Sequence, residues 1–490
     1  MPISPDSADS VLDLLVIGGG VNGAGIARDA AGRGLSVALV EMGDLAGATS
    51  SASTKLVHGG LRYLEFFEFA LVRKALAERE VILRAAPHIS RPLPFLLPLE
   101  PHLRPGWMIR AGLFLYDHLA RRKEVPGSSR VDLRSDAAGP AFQPQLKRAY
   151  RYWDGWIDDA RLVVLNAQDA AARGAQILVR EAATAARRTE LGWEVTTAGG
   201  RRLAARHLVN CAGPWAGQVA HELMGVADAP KLSLVQGAHI VTRKVNRTTD
   251  AWMLQQPDGR IVFVIPYQGE FSLIGTTETP VSEPHAARIT ADEEAYLLAA
   301  VNRSLARPLT PDDIVHRFAG IRPLVLEEGK GARETTRDWR LVPHEGQNAM
   351  TVIGGKITTY RLLAEAVLAK LFPKTKRWTR DAPLPGGDVP RLGGTAGQDF
   401  ARWLAHLKAR NPLYDPLIIE RMARLYGTET EAMLEAGLGA NLGGIFEAEL
   451  QHMRDREWAR TAEDALWRRS KLGLRLSPEA QARVAAFFGG

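Results

Sequence analysis

The sequence predicts an α/β protein in which a nucleotide-binding domain is interrupted by an antiparallel sheet and followed by a helical domain. Residues 13–41 have a strand–helix–strand pattern with a glycine-rich turn, and residues 232–279 contain four short apolar runs separated by turn residues. A Pro/Gly-rich stretch at 381–390 precedes a strongly helical C-terminal part. Because 490 residues exceed the roughly 250–300 that one hydrophobic core contains, we expect two or three domains.

The glycine-rich turn, GGGVNG at 18–23, follows the first apolar run and precedes a helical segment. In this G-x-G-x-x-G pattern, Gly18 allows a tight turn, Gly20 lets the backbone approach a pyrophosphate, and Gly23 permits close packing of helix on strand. Glu41 ends the second strand, where its carboxylate can accept both ribose hydroxyls of an adenosine and would repel a 2′-phosphate. The pattern therefore predicts a dinucleotide and disfavours NADP, but it does not distinguish FAD from NAD.

Ser, Thr and Gly residues dominate the next segment, GATSSASTKLVHGGLRYLE at 47–65. A solvated linker would be the usual interpretation, but this segment directly follows the dinucleotide fold. It resembles the signature of the FAD-dependent glycerol-3-phosphate dehydrogenases, and further matches include NCAGPWA at 210–216 and GGKITTYRLLAE at 354–365. The resemblance implies non-covalent FAD, with hydroxyl side chains along its phosphates and ribityl chain and the HGG residues beside the isoalloxazine ring.

The resemblance also makes the fold class more specific. It implies a Rossmann-like FAD-binding domain of the D-amino-acid-oxidase type, with an inserted antiparallel β-sheet substrate domain and a C-terminal helical domain. In such proteins the helix that follows Gly354-Gly355 directs its positive N-terminus, here with Lys356, at the pyrimidine edge of the flavin. We predict these cofactor contacts: Gly18, Gly20, Asn22, Gly23, Glu41, Thr49, Ser50, Ser53, Lys55, Leu56, His58, Gly59, Gly60, Ala212, Gly213, Trp215, Gly320, Gly355, Lys356 and Thr358.

The domain boundaries follow from the same comparison. We assign the FAD-binding domain to 11–95, 151–231 and 311–380, a cap or membrane-interface segment to 96–150, the substrate domain to 232–310, and the C-terminal helical domain to 388–490. The helical domain has a structural or dimerisation role in the family that the chain resembles. We therefore expect a homodimer.

Oxidation of a secondary alcohol by hydride transfer needs a base or polarising group for the hydroxyl, and a phosphorylated substrate needs cations. The resemblance implies substrate binding by Arg62, Tyr63, His239, Arg322, Arg337 and Lys356, and catalysis by His239, Arg322, Lys356 and Arg62. Guanidinium groups suit bidentate phosphate contacts, although a single arginine is more often a surface charge. His239 and His58 both remain candidates for the base, and His239 is preferred.

Composition restricts the location and the partners. A net charge of +7 permits attraction to anionic lipid or a phosphate substrate, but no nucleic-acid motif is present. Cys211 is the only cysteine, which suits a reducing compartment, and no metal site is predicted. The N-terminus lacks the basic start of a targeting peptide, and no apolar run approaches the roughly 18–20 residues that cross a bilayer. Segment 104–123 combines large apolar residues with basic flanks. This pattern is typical of a helix that lies in a bilayer interface, and a core helix with a solvated basic end is an equal alternative.

We therefore predict an FAD-dependent dehydrogenase that oxidises sn-glycerol 3-phosphate to dihydroxyacetone phosphate and passes electrons to a membrane quinone. We expect it in the cytoplasm, peripherally associated with the inner face of the cytoplasmic membrane through an anionic lipid surface. One alternative is a soluble glycerol-3-phosphate oxidase that reduces O2 to peroxide. An FAD amine or amino-acid oxidase is less favoured because Arg62, Arg322 and Arg337 would give its pocket an excess of positive charge. A flavoprotein without catalysis is disfavoured because both the glycines and the pocket residues are intact.

Overall fold

The computed structural model describes residues 11–100, 103–245, 247–284, 287–325 and 338–489. Within these residues the strands are β1 (Leu12–Ile17), β2 (Val37–Glu41), β3 (Leu56–Val57), β4 (Ser90–Pro98), β5 (Ser129–Asp132), β6 (Arg148–Ile157), β7 (Gln176–Val179), β8 (Ala183–Thr189), β9 (Gly192–Thr197), β10 (Arg202–Asn210), β11 (Leu232–Arg243), β12 (Ala251–Gln255), β13 (Ile261–Tyr267), β14 (Phe271–Gly275), β15 (Thr279–Val281), β16 (Ile314–Val325), β17 (Arg340–His344) and β18 (Ala349–Ile353). The helices are α1 (Val21–Gly32), α2 (Phe69–Ala85), α3 (Gly106–His118), α4 (Asp159–Ala172), α5 (Ala216–Gln218), α6 (Ala291–Asn302), α7 (Tyr360–Leu371), α8 (Ala396–Arg410), α9 (Pro416–Tyr426), α10 (Glu429–Ala436), α11 (Glu447–Arg456) and α12 (Pro478–Phe487).

The first sheet has the strand order β17-β18-β10-β1-β2-β7, with β9 beside β10 and β8 beside β9. Its central strands β18, β10, β1, β2 and β7 are parallel, and α1, α4 and α7 share a hydrophobic core with β1. A Cβ on Gly25 of α1 would lie 2.7 Å from the Tyr360 ring of α7, so these two helices approach closely. The carboxyl ends of the parallel strands meet at one edge, which is where open α/β sheets bind their ligands.

The second sheet has the order β15-β11-β14-β13-β12-β4-β6-β3, with β16 beside β11 and β5 beside β6. The four strands predicted in 232–279 are confirmed as β11 to β14, and β14 returns to pair with β11. Along the long β11–β16 pair, His239 lies opposite Phe318 and Val235 lies opposite Arg322. The pairing therefore places His239 and Arg322 on adjacent strands although they are distant in sequence.

The second sheet extends beyond the predicted substrate domain at 232–310. Strands β4 and β6 belong to it and span the predicted boundaries at 95/96 and 150/151. Strand β16 lies within 311–380, which we assigned to the FAD-binding domain, yet it pairs with β11. The predicted cap segment at 96–150 contributes α3 and β5, and β5 pairs with β6. Long-range strand pairing, which local sequence does not reveal, accounts for these differences.

The C-terminal helices α8 to α12 enclose their own hydrophobic core, which includes Phe400, Met422 and Leu450. They contact the first sheet's helical layer through Arg161 of α4, whose Nη1 lies 2.6 Å from Glu457 Oε1 with both side chains fully buried. Among the described helices, none is both long and apolar enough to cross a membrane.

Candidate active site

A cavity of about 1000 Å³ lies where the carboxyl edge of the first sheet meets β11, β13 and β16 of the second. This volume is at the upper end of the roughly 300–1,000 Å³ range of ligand and cofactor sites. The predicted site residues that line it are Gly18, Gly20, Asn22, Glu41, Thr49, Ser50, Ser53, Leu56, His58, Tyr63, Ala212, Gly213, Trp215, His239, Gly320, Arg322, Gly355, Lys356 and Thr358. The fold thus gathers most of the predicted site around one space.

The glycine-rich turn lines the cavity where α1 begins. Gly18 has a φ of +110°, and a Cβ there would lie 2.4 Å from the Cys211 carbonyl oxygen. A Cβ on Gly20 would lie 3.1 Å from Ser50 Oγ, which accepts a 3.0 Å hydrogen bond from the first N–H of α1. The turn thus presents glycine backbone and the Ser50 side chain to the cavity at the positive end of α1, where a phosphate group would be stabilised. Gly23 does not line the cavity; a Cβ there would lie 1.9 Å from the Gly18 oxygen, so its place is in helix–strand packing.

The Glu41 carboxylate joins the glycine-rich turn to the loop that follows β2. Its Oε2 accepts the Gly19 N–H at 2.6 Å, and its Oε1 accepts the Gly43 N–H at 2.7 Å. Burial raises the pKa of Glu41, and the two backbone hydrogen bonds oppose that rise. Because each carboxylate oxygen can accept a second hydrogen bond, ribose binding by Glu41 stays a prediction that this geometry allows.

The hydroxyl-rich loop within 47–65 is held by hydrogen bonds to residues that do not line the cavity. Thr49 Oγ1 donates to the Ile321 carbonyl oxygen at 2.5 Å, and Ser53 Oγ donates to Asp159 at 2.7 Å. Lys55 does not line the cavity, contrary to the predicted cofactor contact, because its buried ammonium group lies 2.7 Å from Asp159 Oδ1. Lys55 therefore anchors the loop to the start of α4.

Gly59 and Gly60 also lie outside the cavity lining, which differs from the predicted cofactor contacts. The Gly59 N–H donates to the Tyr116 hydroxyl at 2.9 Å. Gly60 has a φ of +79°, and a Cβ there would lie 2.3 Å from the ring of Tyr63. The missing side chain at Gly60 thus allows Tyr63 to turn toward the cavity.

The turn before α7 forms another wall. Asn22 Nδ2 donates to the Gly354 carbonyl oxygen at 3.0 Å, and Gly355 has a φ of +97°. The His58 N–H donates to Thr358 Oγ1 at 3.1 Å, which joins this turn to the loop at 47–60. A 3-10 turn, Ile357–Thr359, precedes α7, so the helical end that we predicted beside the flavin does line the cavity.

The turn after β10 supplies Ala212, Gly213 and Trp215 to the lining. The Ala212 N–H donates to Asn210 Oδ1 at 3.1 Å, which fixes the turn. Cys211 is buried, and this burial raises the pKa of its thiol, so the thiolate is disfavoured.

Of the three guanidinium groups predicted to bind substrate, Arg322 lines the cavity. Its Nη2 donates to the Thr277 carbonyl oxygen at 3.1 Å, and a Cβ on Gly237 would lie 2.4 Å from the same nitrogen. Arg62 does not line the cavity; its guanidinium carbon lies 5.9 Å from the centre of the exposed Phe66 ring. Arg337 lies outside the described residues. Lys356 Nζ lies 3.8 Å from the centre of the Tyr63 ring at the cavity wall.

His239 is buried beside Arg322, and its ring stacks on Phe318 with centroids 4.9 Å apart. Its Nε2 lies 3.0 Å from Thr54 Oγ1. Burial, together with the positive charges of Lys55 and Arg322, lowers the pKa of His239 well below its ordinary value. The imidazole is therefore neutral at physiological pH and can accept a proton.

The lining also contains residues that sequence reasoning missed. Thr54 lies within the motif at 47–65 but was not selected, and Phe263 and Thr276 lie on the inserted sheet and the turn that follows it. Glu463 and Arg468 come from the C-terminal domain, for which no local pattern indicated a site.

Comparison with known proteins agrees with this geometry. The model of the FAD dependent oxidoreductase family matches residues 13–361. The chain is 45% identical to the aerobic glycerol-3-phosphate dehydrogenase of Escherichia coli (strain K12), and the alignment covers 96% of each chain. The chain belongs to the FAD-dependent glycerol-3-phosphate dehydrogenase family. The D-erythritol 1-phosphate dehydrogenase of Brucella abortus (strain 2308) is also 45% identical, over 97% of each chain.

Solved structures support the same family. The glycerol-3-phosphate dehydrogenase from Bacillus halodurans, complexed with FAD, has a TM-score of 0.75 and 26% identity and covers 98% of this chain and 94% of its own. The L-α-glycerophosphate oxidase from Mycoplasma pneumoniae, with FAD bound, has a TM-score of 0.62 and 19% identity over 77% of this chain and 99% of its own, which indicates a shared fold. The predicted family, fold class and FAD dependence are thereby confirmed for this dehydrogenase.

Proposed function

We propose that this dehydrogenase oxidises sn-glycerol 3-phosphate to dihydroxyacetone phosphate. The observation that carries the proposal is that Arg322 and the buried His239 line one cavity together with the glycine-rich turn. A phosphorylated alcohol needs a cation for its oxygens and an acceptor for its hydroxyl proton, and Lys356 adds a second positive charge to the lining. FAD held in this cavity would supply the acceptor for the hydride of C2. Similarity to the E. coli enzyme supports this substrate.

Arg322 is oriented before substrate arrives, because its hydrogen bond to the Thr277 carbonyl fixes the guanidinium plane. Such preorganised donors bind substrate oxygens with little loss of side-chain freedom. Neutral His239 can accept the hydroxyl proton, but burial disfavours the resulting imidazolium ion. We therefore expect base assistance to be modest and substrate orientation to account for most of the rate. Tyr63, Arg62 and Arg337 remain proposed substrate contacts.

The cofactor is proposed to be non-covalent, with its pyrophosphate at Gly18, Gly20 and Ser50 and its ribose at Glu41. The cavity that Gly18, Gly20 and Ser50 line at the start of α1 and the buried thiol of Cys211 support this arrangement. The remaining proposed contacts are Asn22, Thr49, Ser53, Leu56, His58, Ala212, Gly213, Trp215, Gly320, Gly355, Lys356 and Thr358, all of which line the same cavity.

D-erythritol 1-phosphate is the second candidate substrate, because the B. abortus dehydrogenase is as similar to this chain as the E. coli enzyme. Both substrates are phosphorylated polyols with a secondary alcohol. We expect kcat/KM, measured with an artificial electron acceptor, to be highest for glycerol 3-phosphate and negligible for glycine. A higher kcat/KM for D-erythritol 1-phosphate would reassign the substrate. Peroxide formed in equal amount to product would select the oxidase alternative.

The electron acceptor is proposed to be a quinone in an adjoining membrane. Residues 66–69 and helix α3 expose large apolar side chains, and we call this surface the α3 patch. It comprises Phe66, Phe67, Phe69, Trp107, Met108, Phe114 and Leu115. Phe67 and Trp107 are 78% and 72% exposed, and the basic side chains of Arg73, Lys74 and Arg104 lie nearby in the chain. Large apolar residues with flanking cations suit a bilayer interface with anionic lipid.

Vesicle binding tests the α3 patch. We expect the wild-type protein, but not Trp107→Ser/Phe114→Ser, to sediment with vesicles containing anionic lipid and to reduce a quinone faster in their presence. Leu191→Ser is the matched control, because Leu191 is 67% exposed between β8 and β9 of the first sheet and belongs neither to the α3 patch nor to the C-terminal domain. Equal sedimentation of the wild-type protein and the double variant would remove the α3 patch from the membrane contact.

The proposed location is the cytoplasmic side of a membrane, and the proposed assembly is a homodimer. Leu392, Leu413 and Leu417 of the C-terminal region are exposed and offer an apolar surface for a second copy. Sedimentation equilibrium should give twice the chain mass, and a single-chain mass would contradict the dimer.

A further inference from the structure

The C-terminal domain reaches the cavity through residues 463–469, which we call the docking segment. Glu463 and Arg468 of this segment line the cavity, as do Met42, Gly43 and Asp44, which directly follow Glu41. The FAD dependent oxidoreductase family model ends at residue 361, so these contacts lie outside the part of the chain that it matches. The wall beside Glu41 is therefore shared by two domains.

Asp44 ties the loop after β2 to the docking segment. Its Oδ1 accepts a hydrogen bond from Arg469 Nη2 at 2.7 Å, and its Oδ2 is contacted by Arg468 Nε and Arg469 Nη1. The side chain of Arg469 is fully buried, and that of Asp44 is 3% exposed. A buried carboxylate that faces two guanidinium groups holds this loop firmly, because either charge alone would be costly to bury.

Asp464 forms the second connection. It accepts the Arg460 N–H at 2.8 Å and the side chain of Arg180 at 2.9 Å. Arg180 itself lines the cavity, and its N–H donates to the Gly43 carbonyl oxygen at 2.8 Å. Burial alone would raise the pKa of Asp464, but the hydrogen bonds from Arg460 and Arg468 lower it to about 2. The connection is therefore fully charged at neutral pH.

Arg468 is the cation of the docking segment that lines the cavity. Its Nε, Nη1 and Nη2 contact Asp44, Glu463 at 2.8 Å and Asp464, respectively. These contacts use three of the five N–H groups of a guanidinium, so two are left for an acceptor such as a ribose hydroxyl or a phosphate oxygen. Asp44, Glu463 and Asp464 hold the Arg468 guanidinium in place. A ligand that accepts a hydrogen bond from it therefore causes little further loss of side-chain freedom.

We propose that the docking segment completes the adenosine end of the FAD site, with Arg468 donating to the nucleotide and Arg469 positioning the loop of Glu41 through Asp44. This inference rests on the proposed assignment of Glu41 to the ribose. Binding of FAD and docking of the C-terminal domain then favour each other, because each orders the same loop. The C-terminal domain thus contributes directly to cofactor retention.

FAD affinity of Arg468→Ala tests the proposal. We expect its dissociation constant for FAD, measured on apoprotein by quenching of flavin fluorescence, to rise about tenfold or more, as for the loss of a charged hydrogen-bond donor. Arg468→Lys should give a smaller rise. Arg402→Ala is the control, because Arg402 is 54% exposed on α8 with one 3.6 Å ion pair and does not line the cavity. An Arg468→Ala affinity equal to that of Arg402→Ala would overturn the proposal.

Hydrogen exchange of the wild-type protein gives a test that does not depend on how a variant folds. We expect FAD to slow exchange of the amides at 463–469, while α8 at 396–410 shows no change. Unchanged exchange at 463–469 would overturn the proposal even if FAD binds tightly. Neither measurement involves substrate, so a failed substrate assignment would leave both results unaffected.

Discussion

Replacement of Gly237 by alanine displaces the Arg322 guanidinium without removing any polar group. The new Cβ would lie 2.4 Å from Arg322 Nη2 and 2.6 Å from Thr276 Oγ1, whereas ordinary contact begins at 3.4 Å. The guanidinium must therefore move by about 1 Å, which the flexible end of a side chain can do at small cost to stability. A displacement of about 1 Å in a positioning group can lower a rate about 100-fold. We expect kcat/KM for glycerol 3-phosphate to fall by roughly that factor while FAD stays bound.

Steady-state kinetics and the flavin spectrum measure these two quantities on the same sample. Gly397→Ala is the control, because the nearest atom to its new Cβ is Pro92 Cδ at 3.8 Å and the site is remote from the cavity. Arg322→Ala should lose about 1.5–3 kcal/mol of substrate binding, as expected for a charged hydrogen-bond donor. A Gly237→Ala enzyme with unchanged kcat/KM would refute the position that we assign to the substrate.

Three further predictions concern the surroundings of the site. Thr54→Val should lower kcat up to about tenfold, because His239 Nε2 loses its 3.0 Å hydrogen-bond partner, and Thr54→Ser should restore kcat. Equal kcat values for the wild-type protein and both variants would exclude this contact from catalysis. Lys55→Met should lower the free energy of unfolding by about 3–5 kcal/mol in urea titrations, because the buried Asp159 carboxylate would lose its ion-pair partner. A change below about 1 kcal/mol would contradict this prediction. Burial lowers the pKa of His88 from 6.5 to about 3, so below pH 6.5 only the unfolded state binds the proton and stability falls as the pH drops. That loss is about 1.4 kcal/mol per pH unit for one histidine. The free energy of unfolding of His88→Phe should therefore change less steeply between pH 6.5 and 4 than that of the wild-type protein, and an identical slope would contradict this prediction.

Much of the cofactor wall could be predicted from the sequence because local backbone geometry demands particular residues. A φ of +110° at Gly18 and +97° at Gly355 favours glycine, and the adjoining strands and helices have clear apolar patterns. These features need no knowledge of distant partners, and both motifs, at 18–23 and 354–358, contribute residues to the cavity lining.

Side-chain direction could not be predicted in the same way. Lys55 turns toward Asp159, a partner elsewhere in the fold that decides where its charge lies. The strand at 90–98 pairs with residues 149–157, a long-range contact that a local pattern does not encode. Arg468 lines the cavity because a separately folded domain docks there, and its own segment has no nucleotide-binding pattern.

Anaerobic mixing of the purified yellow protein with glycerol 3-phosphate tests the central claim most directly. We predict rapid bleaching of the flavin absorbance with one dihydroxyacetone phosphate formed per FAD, and slower bleaching when deuterium replaces the hydrogen at C2. A flavin spectrum that glycerol 3-phosphate leaves unchanged, in protein that holds FAD, would contradict the proposed substrate and the role of the Arg322 and His239 wall.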